Sequence, residues 1–152
     1  MNMDTIDGPH KGVKPPKVIT SADLEQIEDR FCGRLKILPG VGVLAEGLTK
    51  STGHFHTKFD ETYTVLSGTL TLALYVPGGE VHEVTLERQD MVFIPAGVRH
   101  KVIGGLHENS VLVTCSPAFV PGDETICDVL EESYGLNLAE SYFTREEYES
   151  AR

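Results

Sequence analysis

The chain has 152 residues, 40% hydrophobic and 24% charged, and its 13 basic against 23 acidic side chains leave a net charge of −10. A globular chain of this length buries roughly two thirds of its extended surface, so one domain with a self-supporting core is expected and disorder throughout is excluded. The acidic balance argues against nucleic acid, which is held by clustered Lys and Arg, and against a polybasic membrane anchor.

Cys32, Cys115 and Cys127 form neither a disulfide framework nor a CxxC pair, which fits a reducing compartment. The N-terminal MNMDTIDGPHKG lacks the apolar stretch of a signal peptide, and no run approaches the ~18 apolar residues of a membrane span. The expected location is cytoplasmic.

Residues 1–17 are polar and broken by Pro and Gly, and read as a loose or draped arm. Thr20 is a plausible N-cap with Asp23 three residues on, and Leu24, Ile27 and Phe31 recur at helical spacing. One short helix over about 21–31 is therefore predicted, making residues 1–33 an arm plus helix. From 34 to 117 the pattern changes to nine segments of four to eight β-branched or aromatic residues: RLKIL, VGVLAEGL, HFHTKF, ETYTVLS, TLTLALYV, EVHEVTLE, MVFIP, RHKVI and SVLVTCSP. No helical stretch interrupts them, so the expectation is an all-β antiparallel sandwich or barrel over 34–117. Leu66–Thr69 and Pro77–Glu80 read as tight turns between hairpin strands. Residues 118–152 form an acidic extension of the same domain, nine acids against two bases from 123 onward. It carries a possible turn in DVLEESYG, and a terminal helix with Thr144 and Glu147 as capping box.

Six histidines are few enough to take singly. His54 and His56 stand two apart in GHFHTKF, so on a strand both imidazoles leave one face. Glu61 follows beyond a short polar stretch, and His100 comes 39 residues later, after Pro95-Ala96-Gly97. Three imidazoles and one carboxylate make four N/O donors for one divalent ion, leaving two positions of an octahedron for water, substrate or O₂. Fe(II), Mn(II), Ni(II), Co(II) and Zn(II) all accept such donors; closed structural zinc sites usually contain cysteine. Alternation turns Tyr63, Val65 and Ser67 to the same side as Glu61, which makes Tyr63 the candidate catalytic hydroxyl. Arg34 and Lys36 share parity and fit either an anion clamp at the mouth or edge-strand cations. Lys58 is expected in solvent, and Cys115 as a small buried hydrophobe. His10, His82 and His107 are assigned no role.

The order of these features resembles the cupin superfamily. Its first motif, G-x5-H-x-H-x3-4-E-x6-G, is read here as GLTKSTGHFHTKFDETYTVLSG, with His54, His56, Glu61 and Gly68. Its second, G-x5-P-x-G-x2-H-x3-N, is read as QDMVFIPAGVRHKVIG, with Pro95, Gly97 and His100. Gly47 lies one residue further from His54 than the pattern has it, Gln89 stands for the opening Gly, and Gly104 stands for the closing Asn. The resemblance covers about residues 41–115. It implies a double-stranded β-helix, or jelly-roll, barrel with short flanking helices, and a metal held by His54, His56, Glu61 and His100. It further implies a metal-dependent enzyme acting on a small polar or anionic metabolite by dioxygenase, isomerase or lyase chemistry, and a homodimer that pairs edge strands or swaps residues 1–20. The alternative it implies is a non-catalytic small-molecule-binding or structural cupin.

Overall fold

The computed structural model describes residues 12–120, 122–135 and 143–151. Residues 1–11 of the expected arm, with His10, lie outside the described residues.

All nine segments predicted between 34 and 117 are strands. They are β2 (Gly33–Leu38), β3 (Gly42–Glu46), β4 (His54–Phe55), β5 (Asp60–Ser67), β6 (Leu70–Tyr75), β7 (Val81–Leu86), β8 (Met91–Ile94), β9 (Arg99–Gly105) and β10 (Ser110–Ser116). Two more, β1 (Gln26–Asp29) and β11 (Thr125–Ile126), come from the flanks. Helices α1 (Asp128–Tyr134) and α2 (Arg145–Ala151) follow.

The strands divide into two antiparallel sheets, ordered β1-β2-β3-β10-β5-β8 and β11-β4-β9-β6-β7. One core lies between them: Leu35, Val43, Tyr63, Val65, Val111 and Val113 from the first sheet meet Leu70, Leu72, Leu86 and Val102 from the second. Alternating burial along β5, with Glu61, Tyr63 and Val65 buried and Thr62 and Thr64 part-exposed, shows each strand giving one face to this core.

Four expectations need correction. The closed barrel is not formed: neither sheet closes on itself, and β1, β8, β11 and β7 remain as edges. The core side chains fill the space between two open layers, and no ladder joins one edge to another among the described residues.

The helix over 21–31 is also absent. Thr20 and Asp23 do form their reciprocal cap, with Thr20 N and Oγ1 donating to Asp23 Oδ2 at 3.1 and 2.8 Å, but it closes only a 3-10 turn, Ser21–Asp23. From Gln26 the chain pairs with β2, Gln26 opposite Lys36 and Asp29 opposite Gly33. Asp29 Oδ1 accepts from Phe31 N and Cys32 N at 2.8 and 2.9 Å, which stabilises the reversal. The ladder and this turn outweigh a weak helical period.

Leu66–Thr69 does not close a hairpin, because β5 and β6 belong to different sheets. Gly68 there has φ +76°, and a Cβ on it would sit 2.9 Å from Asn109. Pro77–Glu80 does close the β6–β7 hairpin. Finally, Ser67 is exposed, because the β10–β5 register slips between Ser110 and Val111 and resets its parity.

Candidate metal centre

His54, on β4, lies directly opposite His100, on β9. His56 follows past the end of β4, and Glu61 comes from β5 in the other sheet. All four are buried. The ligand nitrogens of His54, His56 and His100 lie within 4.8 Å of one another, a triad able to coordinate a divalent ion.

The proton positions are set by backbone carbonyls, which can only accept. Nδ1–H of His54 donates to Thr52 O at 2.6 Å, that of His56 to Asp123 O at 2.5 Å, and that of His100 to Val98 O at 3.2 Å. Each Nε2 therefore carries a lone pair when the ring is neutral. Glu61 Oε1 lies 3.2 Å from His56 Nε2, and Oε2 lies 3.0 Å from His100 Nε2. Neither of these nitrogens, nor Glu61 Oε2, has a hydrogen-bond partner in this arrangement. Buried lone pairs facing lone pairs are repulsive unless a cation lies between them, so the donor set fits a metal.

Without one, protons fill that role. Burial would raise the Glu61 carboxyl, but the charge and hydrogen bonds of His100 and His56 outweigh it and hold it well below the usual carboxylate range. Burial pulls His56 down, while Glu61 and the Asp123 carbonyl push harder the other way, and the result is a raised imidazole. His54, away from Glu61, is lowered by burial and by the other two rings.

The C-terminal extension holds the His54–His56 segment in place. Its β11 pairs with β4, Ile126 opposite His54. The Asp123 carboxylate accepts from Thr57 Oγ1 at 2.8 Å and from Lys58 N at 2.8 Å, while its carbonyl fixes His56. Further on, buried Glu131 accepts from Gly53 N and from Lys101 Nζ, the latter at 2.8 Å, and Lys101 also reaches Ser51 O. The sequence marks the extension only as acidic; two of its acids, Asp123 and Glu131, are structural.

Tyr63 lines the same cavity as His54, His56 and Glu61, its ring 5.7 Å from that of His100. Burial, then the Glu61 charge, push it well above the usual phenol range, so the hydroxyl is a neutral donor. Arg34 and Lys36 do not guard the mouth: Arg34 pairs with Glu28 at 3.4 Å, and Lys36 donates to Ser21 Oγ at 2.7 Å. Lys58, His82 and His107 are exposed. Cys115 lies opposite Glu61 on β10, outside the triad, its thiol pushed up to about 12 by burial and by that carboxylate.

Three cavity residues escaped the sequence reading: Asp29, Cys32 and Glu124. Asp29 falls within the helix predicted over about 21–31, and Glu124 within the acidic extension. Burial, then Asp29 opposite it, push Glu124 up to about 10. One of the motif departures is accommodated by the backbone. Gln89, where the pattern has Gly, takes φ 72°, the left-handed conformation that glycine normally supplies.

Residues 40–114 match the family model described as the cupin domain. The chain belongs to the cupin superfamily. Solved structures agree in fold. A variant of PAC13 from Streptomyces with uridine is 21% identical, covering 82% of this chain and 96% of that one at a TM-score of 0.57. The WlaRB TDP-quinovose 3,4-ketoisomerase from Campylobacter jejuni is 19% identical, over 71% and 91% of the chains, with a TM-score of 0.52. The capsular polysaccharide assembling protein CapF from Staphylococcus aureus is 17% identical and scores 0.54; the cupin covers only 34% of its length. No curated protein matches in sequence. The molecule is thus a cupin whose buried histidine triad is consistent with a catalytic metal site, and no helix among the described residues is long and apolar enough to cross a membrane.

Proposed function

We propose that this cupin is a metal-dependent enzyme of the isomerase or epimerase kind, acting on a small polar, sugar-like metabolite. His54, His56, Glu61 and His100 hold one divalent ion, and Tyr63 is the catalytic hydroxyl. The observation that carries this reading is the set of Nε2 lone pairs turned on the Glu61 carboxylate inside a buried cavity. The fold likeness to a TDP-quinovose 3,4-ketoisomerase, and to a PAC13 variant with uridine, supports the sugar-like substrate.

When bound, the ion supplies Lewis acidity, polarising a carbonyl or stabilising an enediolate. The protein's own part is to orient and protonate. The carbonyl bonds fix each imidazole, the apolar core excludes water behind it, and the neutral Tyr63 hydroxyl donates to a developing oxyanion. Dioxygenase or lyase chemistry needs the same donor set, and the ion and co-substrate separate these branches.

Elemental analysis of protein purified without affinity metal should find one divalent ion per chain, lost in His56→Ala and His100→Ala. Undiminished stoichiometry in both variants would refute the ligand assignment. Anaerobic turnover with Mn(II), Ni(II) or Zn(II) selects isomerase or lyase chemistry, and O₂ uptake with Fe(II) selects the dioxygenase. Tyr63→Phe should lower kcat roughly a hundredfold at unchanged metal content. An unchanged rate returns Tyr63 to the core, and a metal-loaded protein that turns over no sugar, sugar acid or keto acid favours the non-catalytic binding protein.

The reading includes a homodimer in a reducing compartment. The edge strand β8 exposes Met91 and Phe93 at 65% and 60%, and all three cysteines are free. Sedimentation equilibrium at the monomer mass of 16.7 kDa across micromolar concentrations would reject the dimer.

A further inference from the structure

His54 and His56 each donate Nδ1–H to a single backbone carbonyl, Thr52 O and Asp123 O. One such bond fixes the tautomer but leaves the ring free to tilt about the line from nitrogen to oxygen. The direction of the Nε2 lone pair then depends on what packs against the ring. His100 meets other rings of the centre, with His54 at 4.4 Å and Tyr63 at 5.7 Å between centroids. His54 and His56 also lean on rings outside the centre. Phe31 lies 5.0 Å from His54, tilted by 57°, and Phe59 stacks on His56 at 4.4 Å and 28°.

Both of these backing rings are buried, and each meets a further phenylalanine. Phe143 stands edge-on to Phe31 at 5.1 Å, and Phe119 meets Phe59 at 5.7 Å and 60°. Phe143 is buried in turn and meets Tyr148 of α2 edge-on at 6.5 Å. Two rows of rings therefore run outward from the centre, His54–Phe31–Phe143 and His56–Phe59–Phe119. Both end at one groove of about 450 Å³, which Phe119 and Phe143 line. Both outer rings also come from beyond residues 40–114, the span that matches the cupin model. Close-packed side chains pass displacements on, so a void left by an outer ring lets the inner ring, and the imidazole on it, shift.

Resting on the metal-centre reading above, we propose that Phe143 and Phe119 are positioning residues, which act through Phe31 and Phe59 to hold the imidazoles of His54 and His56 in their ligating orientation. The ligand geometry is thereby set from the C-terminal extension as well as from the strands that carry the ligands.

The test uses the full-length protein loaded with Co(II), whose visible absorption bands report ligand geometry, followed by transfer of the ion to excess chelator. In Phe143→Ala and Phe119→Ala the bands should change with one ion still bound. The ion should leave about tenfold faster, at a rate independent of chelator concentration. Phe119→Tyr, which keeps the ring, and Phe143→Leu, which keeps most of the volume, should stay within about threefold of the unsubstituted protein. Leu86→Ala truncates a buried side chain on β7, two strands from β9, and should lower Tm while leaving the bands alone.

Unchanged bands in either alanine variant would overturn the proposal for the row it truncates. An acceleration that rises with chelator concentration would overturn it too, by making the phenylalanine a barrier to entry. So would equal acceleration in Leu86→Ala, which would tie release to stability alone. If Phe143→Ala does not fold, Phe119→Ala decides, because half-buried Phe119 lies in the loop after β10. The unsubstituted protein separates the two readings. Failure to take up Co(II), or equal uptake in His56→Ala and His100→Ala, sinks the metal centre, whereas a loaded protein whose bands neither alanine variant alters sinks this inference alone.

Discussion

At the scale of single residues, the centre depends on side chains whose partners lie far away in sequence. Asn109 is buried and makes three bonds: its Oδ1 accepts from Leu48 N at 2.7 Å, and its Nδ2 donates to Leu48 O and Thr69 O at 2.7 and 3.0 Å. Asn109→Ala strands three buried backbone groups and should cost about 3 kcal/mol in urea unfolding, with metal stoichiometry retained. Asp123 acts on the metal instead. Asp123→Ala releases the Thr57–Lys58 backbone beside His56, and competition with a chelator should show affinity falling about tenfold while one ion per chain still binds. The donor set itself was legible, because strand parity and the spacing of His54, His56, Glu61 and His100 are properties of the local chain. The carbonyls that set the tautomers were not all so. Thr52 and Val98 lie two residues from their histidines, but Asp123 is 67 away from His56, and no local pattern announces it.

At the scale of elements, the strands were legible because each carries its own alternation, and Pro or Gly separates most of them. What failed was pairing. The Thr20–Asp23 cap and the spacing of Leu24, Ile27 and Phe31 predict a helix over about 21–31, although the structure of the segment from Gln26 is decided by β2 across the turn. The acids from 123 to 152 look alike in sequence, although Glu131 is only 3% exposed. That residue ties α1 to both β9, through Lys101, and the Gly53 backbone that leads into His54. Glu131→Gln keeps the shape but leaves Lys101 without its counter-charge, with only 14% of its side chain exposed. Breaking a largely buried pair of this kind should cost about 3 kcal/mol. Lys101→Met together with Glu131→Gln should recover at least about 1 kcal/mol of that loss. Strict additivity in this double-mutant cycle would mean that the pair is not coupled and that β11 and Asp123 hold the extension without it.

At the scale of the whole molecule, the centre couples stability to pH in a way that metal should reverse. Glu61 is held below its ordinary value of 4.5, so its contribution is present above that value and is lost as the pH falls. Glu124 is raised from 4.5 to about 10, so its contribution is complete below 4.5 and is lost progressively as the pH climbs towards 10. From these two groups, the metal-free protein should be most stable near pH 5 and weaken on either side. The bound ion adds a term of opposite slope. It needs Glu61 ionised and each Nε2 unprotonated, and His56, raised above its ordinary 6.5, gives up its proton at higher pH than Glu61 or His54. Stabilisation by metal should therefore be small in acid and grow as the pH passes the His56 range, moving the stability maximum to higher pH. Tm followed from pH 4 to 10, with saturating Mn(II) or with a chelator, reads this directly, and Glu124→Gln should flatten the alkaline limb of the metal-free curve. A maximum at the same pH with and without the ion would mean that the metal does not compete for the proton on His56, and would place it elsewhere than between the imidazoles and Glu61.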